Sequence, residues 1–124
     1  MYLLIWEDND SKLINRKYLN EFESDSRDIV LYFRSLPSNP RIILLTPIVS
    51  FMADTTGIWD AVIVRNIVPM TKNVAHKERV EIIDMHPLLA ARPDLLKDKI
   101  HPDAEDSKMM AKKMYAQLMK KRKK

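Results

Sequence analysis

The run Asp98-Lys99-Ile100-His101-Pro102-Asp103 places a carboxylate three residues ahead of a histidine, where the last amphipathic stretch of the chain begins. An imidazole held by a carboxylate can take a proton from a hydroxyl, because the carboxylate fixes the tautomer and stabilises the imidazolium that forms. That is the general-base half of a Ser-His-Asp triad. The spacing alone is common in proteins, where such a surface pair is ordinarily just solvated. The remaining candidates carry less. His76 reads as an exposed cation at a helix end, and His86, ahead of Pro87, as a hydrogen-bonded loop residue. Three scattered histidines and no cysteine offer neither a zinc cage, a thiolate site nor a disulfide, so no metal and no organic cofactor is expected. Asp84, inside an apolar run, reads as a buried structural carboxylate that must be paired. Trp6 and Trp59 could flank a sugar, although packing is the more frequent use of tryptophan.

The elements that must position these residues follow from periodicity. Residues 2–6 form a short apolar run, followed at once by Glu7-Asp8-Asn9-Asp10-Ser11, which suits a strand buried on both faces that ends in a loop. Tyr18, Leu19, Phe22, Ser26, Ile29, Val30 and Phe33 recur at helical spacing, and Leu36-Pro37-Ser38-Asn39-Pro40 stops that helix. Residues 41–46 are a second buried strand closed by Pro47, and 48–56 a loop. Residues 57–76 are helical in period, with Pro69 expected to kink or divide them. Residues 80–85 are a third strand, and 86–96 a connection with one short helix. Asp103 is placed to cap a final helix whose apolar stripe is Met110, Met114 and Leu118, flanked by Ala111 and Tyr115. Strand and helix alternate three times, which calls for α/β architecture with a parallel sheet. Ligands of such sheets sit beyond the carboxyl ends of the strands, so loops 7–11, 47–57 and 98–103 should converge there.

The chain has 124 residues, 46% hydrophobic and 31% charged, which suits one small globular domain with a single core. The formal charge of +4 is supplied by the final Lys120-Lys121-Arg122-Lys123-Lys124. With that tail set aside the body is close to neutral, so nucleic acid is disfavoured as a partner and the tail reads as a solvated helix end. No apolar run reaches membrane-spanning length, and the first residues lack the basic region of a signal peptide. Cytoplasmic residence is expected if Met1 is the true start.

With the strands, Glu7-Asp8-Asn9-Asp10 and Asp98-Lys99-Ile100-His101-Pro102 set in order, the chain resembles the C-terminal part of the SGNH (GDSL-like) hydrolases. Within them it is most similar to carbohydrate esterases, including sialate O-acetylesterase-like proteins. Glu7-Asp8-Asn9-Asp10 stands where that family has Gly-x-Asn-Asp after an apolar strand, and Asp98, His101 and Pro102 occupy its Asp-x-x-His-Pro block. Pro37-Ser38-Asn39-Pro40-Arg41-Ile42, Thr46-Pro47-Ile48 and Ile82-Ile83-Asp84-Met85 resemble its sheet strands. The resemblance implies a three-layer, flavodoxin-like α/β fold, incomplete and lacking the N-terminal strands, with residues 1–119 as the C-terminal part of the domain and 120–124 as a basic tail. It implies His101 as general base, Asp98 as its orienting carboxylate, and the Asn9 side chain as an oxyanion-hole donor. The implied substrate is a small ester, an acetylated carbohydrate.

The departures from that pattern bear on activity. The family's nucleophile lies in a Gly-Asp-Ser block for which these 124 residues have no counterpart; Ser11 is the nearest substitute, with nothing else in its setting to support it. Glu7, Lys99 and Asp106 stand where the family usually has glycine, at turns where a side chain is expected to strain the backbone or crowd the site. Two expectations follow: an ester hydrolase that obtains its serine from elsewhere, or an inactive α/β remnant serving as a binding or structural module. In either case residues 2–6 would form an exposed apolar strand edge, prone to self-association.

Overall fold

The computed structural model describes residues 2–5, 8–92, 94, 96 and 98–122, with side chains from Asp10 onward. Three parallel strands, β1 (Tyr2–Ile5), β2 (Ile42–Leu45) and β3 (Glu81–Ile83), form a sheet in the order β1-β2-β3. Tyr2 pairs with Ile42 and Ile5 with Leu45 on one side of β2, and Ile43 pairs with Glu81 and Leu45 with Ile83 on the other. A parallel sheet needs a crossover between successive strands, which places helices on its faces and buries both.

Every residue of β2 is buried, and alternation along the strand divides them between two cores. Ile42 and Leu44 join Val30, Val74, Ala75 and Val80 under α1 (Leu19–Arg34) and the later helix α3 (Val68–Glu78). Ile43 and Leu45 join Ile83 and Met85 on the opposite face, beneath Met110, Met114 and Leu118 of α5 (Ala104–Leu118). The apolar stripe expected for the last helix is the one that packs, while Ala111 and Tyr115 face outward. The result is a three-layer α/β/α arrangement. A short α4 (His86–Ala90) follows β3, so His86 opens a helix instead of lying in a loop.

The stretch expected to be helical over 57–76 runs from Asp60 to Glu78 in three parts: α2 (Asp60–Val62), a π-helical turn (Ile63–Ile67) and α3. Proline has no N–H to give to the carbonyl four residues earlier, and its ring crowds that carbonyl. The wider turn just ahead of Pro69 accommodates both effects. The polar segment after β1 is also more regular than a loop, forming 3-10 turns at Asp8–Ser11 and Leu13–Tyr18. Asn39, in the proline-rich stop after α1, has φ 45°.

Charge fixes the ends of the helices. Glu78, buried at the end of α3, accepts from Arg27 and Arg34 of α1, Arg34 at 3.1 Å. Arg41 holds Glu81 with both ends of its guanidinium, at 2.7 and 2.8 Å, and donates to the carbonyls of Gln117 and Leu118 at the end of α5. Breaking such a buried pair by removing one partner typically costs about 3–5 kcal/mol, because the other charge is left buried and uncompensated. The tail is not wholly solvated: Arg122 donates to the carbonyls of Asn39 and Pro40 and to Asn39 Oδ1.

Candidate functional site

Hydrogen bonds join the three loops beyond the carboxyl ends of the strands. The backbone N–H of Leu13 donates to Thr56 O at 3.0 Å, and that of Trp59 to Ser11 Oγ at 3.1 Å. Arg16 donates to the carbonyls of Ser11 and Thr55 and lies 4.9 Å from the centre of the Trp59 ring. Phe51 N–H donates to Lys99 O at 2.9 Å, which ties the second loop to the third. Ile100 packs against the cluster formed by Phe22, Ile58, Ile63, Ile67 and Val68. His101 is thus carried on a turn anchored by its own neighbour.

Asp98 and His101 meet directly. Asp98 Oδ2 lies 2.5 Å from His101 Nδ1, while Oδ1 accepts the backbone N–H groups of His101 at 2.6 Å and Ile100 at 3.0 Å. These two N–H donors and the imidazole hold the Asp98 carboxyl at about 2, well below its ordinary 3.8. It is therefore an anion throughout the neutral range. With Nδ1 engaged by a carboxylate, the proton sits on Nδ1 and the Nε2 lone pair is left to act as base. The His101 side chain is 74% exposed, so a substrate hydroxyl can reach it.

The turn that makes this geometry has Lys99 at φ 73°, in the left-handed region. The expectation for a usual glycine position is met there, and Lys99 adopts the strained conformation. Asp106 is different. It is the third residue of α5, and its Oδ2 accepts Asp103 N–H at 3.2 Å while Asp103 Oδ1 accepts Asp106 N–H at 2.9 Å, a reciprocal cap. Asp106 lies in the first turn of the last helix, as expected from sequence, but its backbone is helical and not at positive φ, so the strain expected at a usual glycine position is absent there. Burial raises its pKa, and Asp106 Oδ1 is buried with no hydrogen-bond partner among the described residues.

Ser11 is fully buried, with its oxygen taken by the Trp59 N–H, so it is a structural tie between loops. Asn9 lies in the Asp8–Ser11 turn at the correct end of the sheet; its side chain, together with Trp6 and Glu7, lies outside the described residues. Asp10, in the same turn, has its pKa raised by burial and by the charge of Asp25. Asp84 is paired as expected, to Lys72 at 2.9 Å, but its side chain is 37% exposed and not buried.

Sequence reading missed two features at this end of the sheet. Thr46 is fully buried just past β2; its hydroxyl donates to Asp84 Oδ1 at 2.9 Å and accepts the N–H groups of Met85 and His86. His86 Nε2 lies 2.9 Å from Asp60 Oδ1, a second carboxylate–imidazole pair. Partners 26 residues apart leave no local signature; a polar residue at the end of a buried strand was the only available hint for Thr46.

No family model matches the chain. It is 32% identical over 121 residues to the acetylxylan esterase of Xylanibacter ruminicola, a match covering 83% of this chain and 25% of that protein. Among solved structures it is similar to Axe2, an acetylxylan esterase from Geobacillus stearothermophilus, with TM-score 0.73 at 18% identity. A variant of Axe2 described as an acetyl-xylooligosaccharide esterase superposes with TM-score 0.74 at 19% identity. Both superpositions cover 98% of this chain and 60% of the esterase. The chain thus spans about a quarter of its curated relative and three fifths of its structural neighbours, and its fold is an incomplete version of theirs. The order of the strands, the placement of the two loop motifs and these similarities together support a likeness to a partial region of the SGNH-like carbohydrate esterases.

Proposed function

We propose that residues 1–119 are the C-terminal part of an SGNH-type esterase domain, carrying the acid–base half of its catalytic machinery, with residues 120–124 as a basic extension. The observation that carries this reading is the exposed His101 with Nδ1 held by an anionic Asp98, on a turn bonded to the loops after the other two strands. The substrate class is an acetyl ester on a carbohydrate, in keeping with the acetylxylan and acetyl-xylooligosaccharide esterases that the chain resembles. Of Axe2, a serine and a histidine variant are each described as catalytic mutants, which fits a serine-type reaction with a histidine base.

In the proposed reaction His101 Nε2 takes the proton of a serine hydroxyl as its oxygen attacks the ester carbonyl. The carbonyl oxygen gains charge, and the Asn9 amide is proposed as one donor to it, an interaction typically worth about 3–4 kcal/mol of barrier. His101 then returns the proton to the departing sugar hydroxyl, and water activated by the same histidine releases acetate. The serine comes from a polypeptide segment outside these 124 residues. The open edge of β1 is the proposed docking place, since a strand added parallel there would end beside the Asp8–Ser11 turn. In the absence of that segment, the same edge is proposed to mediate self-association.

The second reading, an inactive binding or structural module, is favoured by one observation: Ser11, the hydroxyl nearest the Asn9 motif in sequence, is wholly buried and structural. The test is acetate release from a chromogenic acetate and from acetylated xylo-oligosaccharide, by the chain with a Gly-Asp-Ser-bearing segment supplied, against the same assembly carrying His101→Ala. A loss of about a thousandfold or more supports the esterase reading. Equal rates, or none in either, favour the inactive module.

A further inference from the structure

Asp60 opens α2, and its Oδ1 gathers two donors from distant parts of the chain: the Ser50 backbone N–H at 3.0 Å and His86 Nε2 at 2.9 Å. Burial raises the Asp60 pKa, but His86 and the Ser50 N–H outweigh it and hold the carboxyl below its ordinary 3.8. Asp60 is therefore charged at neutral pH, and its side chain is 30% exposed against 16% for His86. Ser50 is itself buried, its hydroxyl donating to Ile58 O at 2.7 Å and accepting Met52 N–H at 3.3 Å. These bonds fasten the segment around Ser50 to the start of α2.

The next residue makes the connection to the candidate site. While Ser50 N–H serves Asp60, Phe51 N–H donates to Lys99 O at 2.9 Å. The Lys99 carbonyl and the Ile100 N–H belong to one planar peptide unit. That same Ile100 N–H donates to Asp98 Oδ1 at 3.0 Å. A single rigid plane therefore accepts from Phe51 on one side and orients the Asp98 carboxylate on the other. It does so in a turn whose Lys99 is at φ 73° and would otherwise relax.

We propose that Asp60, clamped by His86, is a positioning residue for the Asp98/His101 pair, acting through Ser50, Phe51 and the Lys99–Ile100 peptide. The functional meaning of this role rests on the reading of His101 as a base. The structural test does not. Amide hydrogen exchange at Phe51 and Ile100, together with the His101 Nδ1–H proton signal, report on the turn without any ester turnover. A chain with no esterase activity therefore leaves this test intact.

In Asp60→Ala, exchange at Phe51 and Ile100 is expected to speed up at least tenfold and the His101 Nδ1–H signal to broaden away, while Leu44, in the centre of the sheet, keeps its protection. Asp60→Asn retains an oxygen acceptor for Ser50 and is expected to restore both readouts, which a merely disrupted loop would not do. Unchanged exchange at Phe51 and Ile100 with Leu44 still protected overturns the proposal. If Asp60→Ala loses Leu44 protection as well, His86→Ala decides: faster exchange confined to Phe51 and Ile100 supports it, and wild-type exchange overturns it.

Discussion

Asp98 commits both of its oxygens to one turn, and the consequence is a defined pH response. Its folded pKa of about 2 lies below the ordinary 3.8, so its contribution to holding the turn is complete above 3.8 and is lost as pH falls through about 2. A carboxyl-carbon titration by NMR should show a midpoint near 2, and the stability difference between wild type and Asp98→Asn should vanish as that pH is approached. A midpoint at 3.8 would mean that the backbone donors are not engaged. Lys99 makes the opposite contribution, since a side chain in the left-handed region costs about 1 kcal/mol. Lys99→Gly should stabilise the chain by about 1 kcal/mol in urea unfolding, and a loss of stability would show that the positive φ is not strained. Both residues stood out in the sequence, Asp98 by its spacing to His101 and Lys99 by replacing a usual glycine. Neither the two backbone donors nor the 2.5 Å approach could be read there, because they depend on how the turn closes.

Helices in this chain begin and bend where local chemistry dictates. Asp103 and Asp106 cap α5 reciprocally, and the acidic first turn suits the positive end of the helix dipole. Asp106 is nonetheless a buried carboxylate with one oxygen unbonded among the described residues. Burial raises its pKa, so the charged form destabilises the fold at neutral pH, and that penalty is relieved as pH falls through the raised value. Asp106→Asn keeps an acceptor for the Asp103 N–H. It should raise stability at neutral pH by about 1 kcal/mol, with the gain shrinking in mild acid, as measured by unfolding at the two conditions. A gain of the same size at both would place the cause outside protonation. The cap at Asp103 and the place of Asp106 in the first turn of α5 were legible in the sequence; that Asp106 returns the cap with a buried carboxylate was not. At Pro69 the sequence foretold a disturbance, and the packing of Ile63 and Ile67 beside Phe22 accompanies its form, a π-helical turn.

The molecule as a whole has two unlike ends. At the amino ends of the strands, a cavity of about 430 Å³ is lined by Arg34, Arg41, Arg79 and Arg122 with Glu81. Helices crossing over a parallel sheet all terminate at this end, and their carbonyls take up guanidinium donors, as Arg41 shows with Gln117 and Leu118. At the carboxyl ends lie the loops bearing Asn9, Asp60, Asp98 and His101. One lateral edge is β1, apolar in sequence and paired only with β2 among the described residues. Sedimentation should find species heavier than the 14.6 kDa chain, growing with concentration. A single 14.6 kDa species at every concentration would show that the edge is protected.

What the sequence alone determined is what short-range patterns encode. Continuous apolar runs specified the strands, three- and four-residue spacing specified the helices, and alternation of the two specified a parallel sheet with the loops that bear the candidate residues beyond the strand ends. Asp98 and His101, three residues apart, lie within that range. Tertiary structure alone decided that Phe51 grips the Lys99 carbonyl, that His86 reaches Asp60, and that the Thr46 hydroxyl serves three partners at once. Such bonds join residues tens of positions apart. Their geometry is set by how helices and loops settle on the sheet, and buried donors and acceptors, costly to leave unpaired, then take the partners that this settling brings within reach.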